Sequence, residues 1–185
     1  MIGNSIAGFL GAGVAASTSS YESIATLSGT GASTTISFTS IPSTFSHLQL
    51  RVLGRSDSAA AAGTITVYTN NDTTAGNYNR HRLSTDGTTI TANGTASTST
   101  QLGRVTAATA AANIMGITIL DILDYASTTK YKTFRSFSGH DQNGSGDLWL
   151  TSGLWMNSSA INRVDLVIGG NWTTATTIAL YGIKG

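Results

Sequence analysis

An all-β fold, an antiparallel β-sandwich of jelly-roll type, is what three features of the sequence predict. Short segments rich in β-branched and aromatic residues alternate apolar and polar with a period of two. Clusters of Gly, Asn, Asp and Ser part these segments at regular intervals. No long stretch carries the 3.6-residue apolar period of a helix. About ten strands with short polar connections fit a sandwich or jelly roll. With 185 residues, the chain suits one such domain with a core that needs no covalent staples.

Residues 1–20 stand apart as an N-terminal arm, extended or briefly helical, ahead of a sandwich over residues 21–185. Ile2, Ile6, Phe9 and Leu10 fall on one side of that arm, while Gly3, Gly8, Gly11 and Gly13 weaken any helix there. Exposed on a free tail, Phe9 and Leu10 would be a liability, so the arm is expected to lie against a neighbouring subunit. The apolar run 6–16 has the look of a signal-peptide core. The residues before it hold no Lys or Arg, however, and a secretory leader normally needs one.

From Tyr21 the strands follow in order. Residues 21–27 and 34–41 flank the Gly29-Thr30-Gly31 stretch as an expected hairpin, and Pro42 ends the second of them. Residues 47–57 place Leu48, Leu50 and Val52 on one face, with His47, Gln49 and Arg51 on the other. After an Ala-rich loop, Ile65 and Val67 anchor a strand that ends at Asn70-Asn71-Asp72. Residues 77–84 put Tyr78, Arg80 and Arg82 on one face, and Asp86-Gly87 then signals a tight turn. Residues 88–100, almost wholly small and polar, read as an exposed hairpin or loop. Residues 113–123 are apolar on both faces, which predicts a central strand or a subunit contact. Asn143-Gly144 supplies a hairpin turn between strands 131–140 and 147–156. The terminal pair sets Val164, Leu166 and Ile168 on one face, then Ile178 and Leu180 on one face of a last strand tucked into a sheet.

Composition narrows the function. Charged residues make up 10% of the chain, against about 25% in ordinary soluble domains. A surface so poor in charge suits a subunit held in a fixed assembly. The net charge of +1 supplies no general pull toward nucleic acid or an anionic membrane. The absence of Cys excludes disulfides and thiolate metal sites.

His47, His81 and His140 have no ligand spacing, and Asp121 and Asp124 are expected to help end a strand. Neither a nucleophile elbow, a zinc-protease motif nor a P-loop occurs. No catalytic residue, metal site or cofactor site is therefore assigned. Trp149 and Trp155 share one strand face and are expected in the core or a subunit interface. Trp172 lies in a loop and is expected to face outward, toward a partner or a sugar ring.

Two blocks carry a resemblance. Residues 21–27 (Tyr-Glu-Ser-Ile-Ala-Thr-Leu), with 36–51 running from Ile36 through Pro42 to Arg51, resemble the opening of many tailed-bacteriophage virion proteins. Residues 177–184, Thr-Ile-Ala-Leu-Tyr-Gly-Ile-Lys, look like the strand on which such proteins commonly end. The resemblance implies a non-enzymatic structural protein on the particle surface, made in the host cytoplasm. It further implies a homotrimer and contact with the major capsid protein or another virion protein. Head decoration (cement) is the first expectation. A tail-fibre or receptor-binding module reading host glycans is the alternative.

Overall fold

A computed structural model describes residues 19–185, and these form two packed antiparallel sheets without a helix. The expectations placed on the arm, with Ile2, Ile6, Phe9 and Leu10, lie outside the described residues.

The described residues form twelve strands: β1 Tyr21–Ser28, β2 Thr35–Phe38, β3 His47–Gly54, β4 Ala62–Thr69, β5 Tyr78–Thr85 and β6 Ile90–Ser97, then β7 Thr100–Thr106, β8 Gly116–Leu123, β9 Lys132–Asp141, β10 Gly146–Trp155, β11 Val164–Val167 and β12 Thr177–Ile183. The large sheet has eight strands in the order β1-β12-β3-β8-β9-β10-β5-β6, and the small sheet four in the order β2-β11-β4-β7. With the hairpins β5–β6 and β9–β10 set aside, what remains is β1-β12-β3-β8 over β2-β11-β4-β7. In chain order the path alternates between these two layers and folds back at the neighbouring pair β4 and β7, which is jelly-roll connectivity. The two hairpins are additions. They extend the large sheet past β8, so that it overhangs the small one, and β7 lies across β8, β9 and β10.

Alternation along most strands makes the core, broken in β7 where Leu102 and Val105 are three residues apart. Leu48, Leu50 and Val52 of β3, Leu120 and Ile122 of β8, Phe134 of β9, and Ile178 and Leu180 of β12 point inward from the large sheet. Ile36, Phe38, Ile65, Val67, Leu102, Val105, Val164 and Leu166 meet them from the small one. Burying a side chain of this size contributes about 1.5–3 kcal/mol, which makes this layer the main source of stability. Phe45 closes one end by lying over Gly182, where any Cβ would collide with its ring.

Several expectations are corrected. Residues 21–27 and 34–41 do not form a hairpin: β1 pairs with β12 and β2 with β11, in different sheets. The connection between them crosses the sandwich, and Gly29 presses so closely on the Trp172–Thr173 backbone that no side chain fits. The terminal strands are likewise split between sheets, although β12 is inserted between β1 and β3 as expected. Residues 90–97 are the exposed edge strand of the hairpin β5–β6, in line with the exposed hairpin expected there, whereas residues 100–106 form β7, a strand without a sequence-based forecast. At Asn143-Gly144 both residues take positive φ, 58° and 115°, as a type I′ hairpin turn requires.

Candidate functional site

The outer face of the large sheet is the least ordinary surface of the molecule. Leu53 of β3, Ile117 and Ile119 of β8, Phe137 of β9, Leu148 and Leu150 of β10 and Leu83 of β5 all stand on it, each 40–52% exposed. Cross-strand register gathers them into two rows. One runs Leu53–Ile117–Gly139–Leu148–Thr85, and the next Arg51–Ile119–Phe137–Leu150–Leu83. Residues within a row lie about 4.8 Å apart and the rows, two residues apart along each strand, about 6.6 Å apart, so the side chains merge into one patch. Half-exposed side chains of this number leave roughly 600 Å² of apolar surface together, at the upper limit of about 300–600 Å² for the largest patch on a monomer.

Two hollows indent this face. A trough of about 600 Å³ is floored by Ile117, Phe137, Gly139 and Leu148, with Met115 at its rim. Its walls are the Asp86-Gly87 turn and the hairpin turn at Gly144. The Asp86 carboxylate accepts from the Thr88 and Thr89 N–H groups and the Thr88 hydroxyl, which lowers its pKa to about 2 and keeps that wall in shape. The second hollow, about 540 Å³, lies over Leu83, Ala92, Gly94 and Leu150, beside His81. A polar row borders the patch: Arg51 Nε donates to Gln49 Oε1 at 2.9 Å, and Gln49 Nε2 donates to Asp121 Oδ1 at 2.8 Å. Asp121 is thus held in a hydrogen-bonded row inside β8 and does not end that strand, whereas Asp124, at φ 49°, follows its last residue.

The tryptophans lie on the opposite side of the large sheet or deeper. Trp149 and Trp155 point inward from β10 and are buried, as the core reading expects. The Arg82 guanidinium sits 3.7 Å from the Trp149 ring centroid and that of Arg104 sits 4.9 Å away. Arg104 Nε donates to Asp147 at 2.7 Å, whereas the buried Arg82 Nε has no acceptor. Burial, then the neighbouring Arg80 and Arg104 charges, lower the Arg82 pKa.

At the other end of the sandwich the Trp155 indole donates to Asp72 Oδ2 at 2.6 Å. Burial pushes the Asp72 carboxyl up, but hydrogen bonds from the Thr74 N–H, Trp155 and Asn77 prevail and bring its pKa to about 2.

Trp172 overturns the outward-facing expectation. It is 0% exposed, its indole N–H donates to the Leu166 carbonyl at 3.2 Å, and its ring packs against Gly54. A ring so enclosed cannot stack on a sugar. Its loop position misled because the loop is exposed at Gly169, Gly170, Thr174 and Ala175 while the Trp172 side chain turns into the core cluster.

Residues 113–123 read as apolar on both faces, and β8 is central, yet its second face is bare in the single chain. Ile117, Ile119, Leu148 and Leu150 were legible as a second apolar face of two strands. Leu53, Phe137 and Leu83 join them only through register. Among the described residues no three His, Asp or Glu side chains gather as metal ligands, and the His47 ring simply accepts from the Asp124 N–H at 3.0 Å. Among the described residues no helix is long and apolar enough to cross a membrane. Set beside protein-family models, curated proteins and solved structures, the chain matches none of them.

Proposed function

We propose that this chain is a non-enzymatic structural subunit of a tailed-phage particle, a decoration or cement protein that binds the assembled head and fastens it. The observation that carries this reading is the apolar outer face running across β3, β8, β9, β10 and β5. At about 25 cal/mol per Å², covering roughly 600 Å² of it returns on the order of 15 kcal/mol before association costs. Association costs of about 4–15 kcal/mol take up much of that gain, so this face offsets the cost of docking and further contacts supply the rest. The scarcity of charge and the sequence resemblance support the same reading, in which the subunit works as a homotrimer beside the major capsid protein. Interface added across shell joints stabilises the shell by mass action, without turnover.

The test is direct. Purified particles are separated into heads and tails, the protein is located by mass spectrometry, and thermal opening of heads is measured with and without it. The proposal expects the protein on heads and a lower opening temperature once it is removed. Its absence from heads would end the proposal.

A further inference from the structure

We infer that the trough at the Ile117–Leu148 end of the outer face receives residues 1–18 of a neighbouring copy, with Phe9 and Leu10 seated on its floor. The inference rests on the outer face being a docking surface and adds which segment docks there.

Four observations support it. The trough, at about 600 Å³, lies within the range of about 300–1,000 Å³ typical of sites that enclose apolar groups. No side chain from Met1 to Tyr21 carries a charge, and that of Glu22 is the first that does, so the side chains of the segment can cross apolar rows without desolvating an ion. Gly3, Ala7, Gly8, Gly11, Ala12 and Gly13 let its backbone lie close to a sheet face. The last observation concerns direction. Tyr21 pairs with Ile183, which pairs with His47 and so with Leu123, whereas Ser28 at the other end of β1 pairs with Thr177 and so with Leu53 and Ile117. The edge strand β1 therefore begins at the end of the sheet away from the trough. To reach its own trough the segment must reverse and cross several strands. The same segment of another copy is not tied to that path, and the stretch from Tyr21 back to Leu10 spans up to about 36 Å when extended.

The chain has no Cys, so disulfide trapping is clean. Full-length Phe9→Cys chains are mixed with full-length Leu148→Cys chains under mild oxidation, and linked peptides are quantified. The control mixture uses Thr128→Cys, an exposed position in the β8–β9 connection at the other end of the sheet. The inference expects a disulfide between positions 9 and 148 at least about tenfold above the control, the gain in effective concentration from seating. Adding Phe137→Asp to the Leu148→Cys chain removes the link while circular dichroism shows the fold intact. Equal linkage to both positions would overturn the inference. So would a disulfide between positions 9 and 148 that forms only when both substitutions share one chain. Head association is measured on the same proteins. Association without the link leaves the decoration reading standing and the inference refuted, and the link without association does the reverse.

Discussion

Trp172→Ala offers a sharp test of the site assignment, because the two uses of this ring predict opposite results. As a surface contact its loss would leave stability unchanged and remove binding. The structure buries it completely and ties its N–H to the Leu166 carbonyl at 3.2 Å. Truncating a buried Trp to Ala costs about 3–5 kcal/mol, and leaving the buried carbonyl short of a donor adds about 1 kcal/mol. With a urea slope of about 2 kcal/mol per M for a chain of this size, the midpoint should fall by about 2 M. Trp172→Phe keeps most of the packing and loses only the hydrogen bond and some volume, so its shift should be about 0.5–1 M. Leu150→Ala, on the half-exposed outer face, loses at most about half of a full burial and should move the midpoint by about 0.5 M. Urea titrations followed by circular dichroism at one fixed protein concentration read all three, since assembly makes apparent stability concentration-dependent. A Trp172→Ala midpoint within about 0.5 M of the parent would refute the placement of this ring in the core.

Asp72→Asn tests the network at the opposite end. A folded-state pKa of about 2 lies below the unfolded 3.8, so the carboxylate contributes stability above pH 4 that is lost as pH falls toward 2. After discounting for solvent screening the contribution is about 1 kcal/mol. The parent should exceed the variant by that amount at pH 6, and the gap should close near pH 2 in acid-titrated urea melts. Gly182→Ala places a methyl group against the Phe45 ring and should cost about 1–3 kcal/mol by overpacking; a thermal midpoint equal to the parent's would contradict that contact. For Arg82 and Trp149, 3.7 Å apart, a double-mutant cycle with Arg82→Met and Trp149→Leu should return about 0.5–2 kcal/mol of coupling, and a value near zero would show the stacking to be energetically empty.

Much of the strand map was readable because period-two alternation is local. Leu48, Leu50 and Val52 announce the inner face of β3 from six consecutive residues, and Asn143-Gly144 announces its turn from two. Asp86-Gly87 likewise marks the β5–β6 turn. The failures are all non-local. The 21–41 stretch looks like a hairpin because two strands flank glycines, but a jelly roll sends consecutive strands to different sheets, and nothing within those residues records which. β7 escaped notice because Gln101, Gly103 and Arg104 dilute its pattern, and its partners are supplied by β4 and by the sheet it covers.

The candidate site divides along the same line. Sequence alone determined that the chain is all-β, that its surface is poor in charge, and that β8 and β10 are apolar on both sides, since each property belongs to a composition or a short window. Only the tertiary structure decided which side is covered. It turned Trp149 and Trp155 inward, enclosed Trp172, and aligned Leu53, Ile117, Phe137, Leu148, Leu150 and Leu83 from five strands into one bare face. Cross-strand register brings residues from distant parts of the chain within about 5 Å of one another, and that proximity is set by the sum of all pairings rather than by any one segment.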